Sequence, residues 1–217
     1  MSTAIQVCAE AYRNANLDQD LTSFSTSQEF PYNLSIDLIN KVIREMNRMG
    51  SWWFTETETA LAYTVGVYSY SFTSLSVDPK KVLRIRREVS GQQGELRQYN
   101  WRQFQITFRQ SSILTTLPTG WSKYGNTLEL NVIPDQDYTL GLYHYRDMPV
   151  IAATTDTFLV PVADEDVLTD GVYAYLLQRM GRPDFQAAYQ LFKEKAVALM
   201  GDNRQDAGLP SQMPANF

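Results

Sequence analysis

The sequence predicts an α+β chain: a helical bundle assembled from both termini, an antiparallel β-rich domain inserted between them, and an extended C-terminal tail. Three observations carry that reading. Leu38, Ile39, Val42, Ile43, Met46 and Met49 repeat at helical spacing up to Gly50. Beyond Thr59 the pattern becomes two-residue alternation, through Leu61, Tyr63, Val65 and Val67. From Asp164 to Met200 the helical spacing returns.

The first helix follows Ser2 or Thr3 as N-cap, carries Ile5, Cys8, Ala9 and Tyr12 on its apolar face, and ends near Asn14 to Asn16. A polar loop leads to the second helix, with Ser35 or Asn33 as cap and Gly50 as stop. Residues 59–75 then read as two strands turning at Gly66. "KKVLRIRREV" is another strand, "SGQQGE" a hairpin turn, "YNWRQFQITFRQ" a short helix and "TTLPTGWSKYGN" a loop. "TLELNVI" and "DYTLGLYHYRDM" alternate cleanly and are expected to form a hairpin around Pro134–Asp135. Two closing helices follow. One opens at Asp164 or Val162 and runs to about Met180; the other opens at Pro183 and reaches about Met200, with Gly181 between them. The expected units are therefore 1–58 with 159–200 for the bundle, 59–158 for the insertion and 201–217 for a flexible tail.

At 217 residues and 44% apolar composition, the chain has enough material for one large core or two small ones. Its single cysteine, Cys8, excludes an intrachain disulfide and a cysteine-built zinc site, and reads as a small core residue. No segment carries the roughly 18 uninterrupted apolar residues of a membrane span, and no leader pattern opens the sequence, so a soluble, unprocessed chain is expected.

The formal charge is −5, which argues against a general nucleic-acid binder. Its distribution is uneven: −5 over residues 1–79, +6 over 80–109, 0 over 110–133 and −6 over 134–217. The basic stretch reads either as a solvated sheet face or as a contact for an acidic partner or another copy of the chain.

Candidate chemistry is sparse. His144, the one histidine, sits mid-strand and leaves no two-histidine metal site. No Gly-x-Ser-x-Gly, Gly-x-Gly-x-x-Gly or Walker pattern occurs. Carboxylates cluster at Glu56 and Glu58 and at Asp164, Glu165, Asp166 and Asp170; the second group suits the first turn of a helix, where the dipole favours acids. Trp52 and Trp53 read as an anchor between helix and sheet rather than a sugar platform. The thirteen tyrosines lie largely in strands, and although Trp101 and Phe104 in the basic stretch could stack on nucleotides, the acidic total argues against it. No catalytic residue, cofactor or metal is assigned.

"SIDLINKVIREMNRMGSWWFTETE" resembles the early helix and first strand of phage head-to-tail adaptor proteins, the connector or tail accessory proteins of podophage-type virions. "DPKKVLRIRREV", "LRQYNWRQF", "TGWSKYGNTLELNVIPDQDYTLGLYHYRDMPVI" and the helical pair from Ala153 to Met200 match the same family in order, over about residues 30–200.

The resemblance implies a structural virion protein at the head-to-tail junction, made in the bacterial cytoplasm. Such subunits form a homo-oligomeric ring, commonly of twelve copies, beneath the portal protein. They extend the channel through which DNA passes without specific binding, and they offer attachment to tail nozzle, tail-fibre or tailspike proteins. A closed ring needs a head-to-tail interface, for which Arg84, Arg86, Arg87, Arg97 and Arg102 are the candidates. Leu209, Met213 and Phe217 are candidate anchors for portal docking by the tail. Two rival readings are a more distal neck or tail-completion protein and a peptidoglycan hydrolase using Glu56 or Glu58 as its acid.

Overall fold

The computed structural model describes residues 2–17, 21–25, 27, 29–87, 94–109 and 113–206, with backbone alone at 63, 138 and 201–206. Along these residues run α1 (Ala4–Asn14), α2 (Ser35–Met49), β1 (Glu56–Tyr63), β2 (Ser69–Ser71), β3 (Val82–Arg87), β4 (Gly94–Glu95) and β5 (Arg97–Gln98). Then follow α3 (Trp101–Phe108), β6 (Gly120–Tyr124), β7 (Thr127–Leu130), β8 (Tyr138–Tyr145), α4 (Asp166–Arg179) and α5 (Phe185–Asp206). The chain is α+β and divides into two compact units, Met1–Phe54 with Asp147–Phe217, and Thr55–Arg146.

In the helical unit, α1 starts after Thr3, whose N–H donates to Gln6 Oε1 at 2.8 Å. It buries Ala4, Val7, Cys8, Ala11 and Tyr12. Ile5 and Ala9, expected on that face, are only partly buried, so the inward stripe is rotated by about one residue. α2 buries Leu38, Ile39, Val42, Ile43 and Met46. Neither Ser35 nor Asn33 caps it: a 3-10 turn over Tyr32–Leu34 leads directly into the helix, and Ser35 Oγ donates back to Tyr32 O at 2.7 Å. At its other end, buried Trp52 donates its indole N–H to Met46 O at 3.0 Å, satisfying a carbonyl near the helix terminus.

α4 is buried on every side, with Val167, Leu168, Val172, Ala174, Tyr175, Leu176 and Leu177 all inside. Gly171 permits this closeness. A Cβ there would lie 2.8 Å from Val42 Cγ1 and 3.1 Å from Phe192 Cδ2, inside ordinary contact distance. α5 continues to Asp206, six residues past the expected end at Met200. Gly201 is a weak helix former but not a breaker, and no proline intervenes before Pro210. The start of the expected tail is therefore helical, and 207–217 lie outside the described residues.

Residues 147–158, expected in the insertion, belong to the helical unit. Met148, Ile151 and Phe158 are buried in its core. Two asparagines seven positions apart on α2 hold this strap as a paired strand would. Asn40 donates to Ile151 O at 2.9 Å and accepts from Ile151 N at 2.8 Å. Asn47 does the same for Met148, at 3.1 and 3.0 Å. Each bridges a backbone group that would otherwise be left without a partner.

The β unit holds two four-stranded sheets, ordered β1-β8-β3-β4 and β2-β7-β6-β5. One apolar core contains Leu61, Ile85, Leu140 and Leu142 of the first and Trp121, Leu128 and Leu130 of the second. Two expected hairpins are absent. β1 pairs with β8 and β2 with β7, so the chain changes sheets at Gly66 rather than doubling back. β7 and β8 likewise lie in different sheets, so Pro134–Asp135 is a crossover and not a hairpin turn. The two crossovers are bonded to each other: Gly66 N donates to Pro134 O at 3.3 Å and Val65 N to Asp137 Oδ1 at 3.0 Å. Ile133 is drawn aside by a bridge to Thr115. The backbone groups a hairpin would use are thus taken elsewhere. β3 and β4 do pair antiparallel as "SGQQGE" suggested, although 88–93 lie outside the described residues.

Candidate assembly surface

The basic segment is distributed over three elements of the β unit. On β3, Val82 and Ile85 are buried while Leu83, Arg84 and Arg86 are exposed, the register shifting between Val82 and Arg84. Register places Arg84 opposite Tyr143 of β8, which in turn stands opposite Glu58 of β1. The Arg84 guanidinium lies 4.7 Å from the centroid of the Tyr143 ring, and its Nη2 is 3.8 Å from Glu56 Oε1. Arg86 stands opposite Gly141 of β8 and Glu95 of β4. Glu58 folds over Gly141, where any side chain would collide with its carboxylate. Burial, and next the Glu56 carboxylate, raise Tyr145 above the usual tyrosine range.

The outer face of the first sheet is therefore a lattice of both signs, not a uniform cationic patch. Glutamates contributed by β1 and β4 offset arginines that the sequence presents as a block. Arg84 and Arg86 remain on the surface within that lattice. Arg87 does not: it pairs with buried Leu140, is half-buried, and its Nη1 reaches Pro118 O at 3.5 Å. It belongs to the inner side of the sheet. Arg97 is exposed on β5 with its guanidinium 5.1 Å over Tyr99, and Arg102 is exposed in the first turn of α3, where Asn100 Oδ1 caps its N–H at 3.0 Å.

Arg109, the last cation of the stretch, has a structural task that its sequence position did not reveal. Its side chain is 12% exposed and its Nη2 donates to Leu130 O at 2.7 Å and to Glu129 Oε2 at 3.3 Å. The guanidinium is held between the rings of Tyr68 and Phe104, at 4.9 and 4.8 Å. It ties the end of α3 to β7. The aromatics around α3 pack on one another from core to surface: Trp101, half-buried, stacks on fully buried Phe104 and on exposed Tyr124.

Three carboxylates of the second cluster have structural partners. Asp166 and Asp170 both lie 2.6 Å from Lys195 Nζ, clamping α4 to α5 and raising the lysine above its usual range. Buried Glu165 accepts the Ser2 N–H with both oxygens, at 3.0 and 3.1 Å. His144 is buried, its Nε2 2.9 Å from Thr59 Oγ1. Among the described residues no group of three or more His, Cys, Asp or Glu side chains is placed to hold a metal ion, and no helix is long and apolar enough to cross a membrane. Leu209, Met213 and Phe217 lie outside the described residues.

Charge separates by unit. The helical unit has 16 acids against 9 bases, the β unit 10 bases against 8 acids. No curated protein matches the chain. A family model for the SU10 adaptor protein matches residues 4–214, which span both units. The chain belongs to the SU10 adaptor protein family, consistent with a phage head-to-tail adaptor.

Proposed function

We propose that the chain is a ring-forming subunit of the head-to-tail connector, docked beneath the portal protein and carrying the DNA channel on towards the tail. The observation that carries this is the family match, since it runs across nearly the whole chain and not across one element. Charge supports it. A ring closes through two different patches on each subunit, and an acidic helical unit can meet exposed arginines of a β unit whose bases outnumber its acids 10 to 8.

Arg84, Arg86, Arg97 and Arg102 are the interface candidates, all exposed in the isolated subunit. Twelve copies is the number the family resemblance suggests. The net charge of −5 suits a channel wall past which DNA slides, because few phosphate contacts are available to slow it. Leu209, Met213 and Phe217 remain the proposed portal anchors, with nozzle, fibre or tailspike proteins on the opposite side.

Co-sedimentation tests the reading. The full chain is mixed in turn with the portal protein and with the tail components of the same phage, at low and high salt. Binding to portal that weakens with salt supports it. Binding to a tail component without binding to portal transfers the chain to a more distal neck position.

A further inference from the structure

The helical unit contains a pocket of about 220 Å³ between α2, α4 and α5, lined by Lys41, Ala174, Tyr175, Gln178, Phe185 and Tyr189. Lys41 Nζ lies 3.9 Å above the Tyr175 ring and donates to Gln178 Oε1 at 3.1 Å. An ammonium has three donors, and these two neighbours are neutral. Among the described residues no carboxylate pairs with it. The nearby acid, Glu45, instead accepts the Tyr189 hydroxyl at 3.0 Å.

Other cations crowd the same place. Lys193 Nζ sits 4.8 Å over Tyr189. Burial first, and then Arg179 and Arg44, lower Lys41 below the usual lysine range despite the opposing pull of Glu45. In a unit where acids outnumber bases 16 to 9, this is a local excess of positive charge with an aromatic wall and an open donor.

Size restricts the ligand. The volume is below the roughly 300 Å³ at which pockets for drug-sized molecules begin, so a side chain fits and a nucleotide does not. An aromatic rim favours an apolar flank, and the acidic unit around it repels a polyanion such as DNA. We propose that this pocket is a socket for a protein carboxylate: an aspartate or glutamate, next to an apolar residue, presented by a partner and received by Lys41. The carboxylate takes the open ammonium donor and the apolar neighbour covers Phe185 and Tyr189. The proposal uses none of the arginines assigned to ring closure, so the two stand or fall separately.

The test is an NMR titration of the full chain, following the Lys41 side-chain and Tyr189 ring signals, with N-acetyl-Glu-Phe-amide, N-acetyl-Gln-Phe-amide and inorganic phosphate as probes. A charge-assisted hydrogen bond contributes about 1.5–3 kcal/mol, so the Glu probe should bind roughly tenfold or more tightly than the Gln probe. Lys41→Met should abolish the difference. Equal binding of the two peptides, no saturable shift with either, or phosphate binding as well as the Glu peptide would each overturn the proposal. The Glu and Gln comparison keeps the test decisive however the variant folds.

Discussion

Arg84 stands directly opposite Tyr143 across the β3–β8 ladder, its guanidinium 4.7 Å from the ring centroid. The aromatic ring fixes the direction of a cation that also lies within reach of Glu56, so the charge is displayed in one orientation and not on a freely rotating stem. Because the cluster is exposed, its contribution to folding is small, of the order of 0–1 kcal/mol. Changing Arg84 and Arg86 together to Gln, which removes the charges without setting carboxylates against Glu56 and Glu95, should therefore leave the urea midpoint nearly unmoved while weakening self-association and portal-dependent assembly. Unchanged assembly at low salt would remove these residues from the interface.

Arg109 behaves in the opposite way. Its guanidinium is sandwiched and bonded to carbonyls and to Glu129. Arg109→Met should cost about 2–4 kcal/mol by urea unfolding, because Glu129 and the Leu130 carbonyl lose their donor. A cost below about 1 kcal/mol would show that the clasp is dispensable.

Gly171 lies at the closest approach of α2, α4 and α5. Alanine is the better helix former by about 1 kcal/mol, yet Gly171→Ala forces Val42 and Phe192 apart. Overpacking should win, with a net loss of about 1–3 kcal/mol on thermal or chemical denaturation. A gain in stability would mean that the helices separate at little cost.

Burial raises Cys8 to about 12 and Tyr12 to about 12, and raises Tyr175 further. These groups lose protons more readily when unfolded, so their contribution is complete below about pH 9 and declines as pH rises towards 12. Stability measured at stepped pH should be level near neutrality and fall above about pH 9. Cys8 should also resist thiol reagents at pH 8 unless the chain is denatured; rapid labelling of native protein would contradict its placement.

Much of this fold was legible in local pattern. The stripe Leu38 to Met46 became the buried face of α2, and the alternation Leu128, Leu130 and Leu140, Leu142 became strands. Strand pairing was legible only for β3 with β4. Gly66 and Pro134–Asp135 both look like tight turns, and local sequence does not record that Gly66 N bonds to Pro134 O across the domain. Charge was misread for the same reason. Arg84, Arg87 and Arg109 form one block in sequence, but the first lies near Glu56 on the outer face, the inner side of the sheet takes the second and a sandwich between Tyr68 and Phe104 takes the third. The Asn40 and Asn47 clasps, more than 100 residues from their targets, were equally invisible.

Native mass spectrometry of the full chain mixed with the portal protein of the same phage is the most direct test of ring formation. A single discrete assembly containing a fixed multiple of the 24.8 kDa subunit, dependent on portal, is the predicted result. Unbound subunit persisting beside intact portal at micromolar concentration would contradict it.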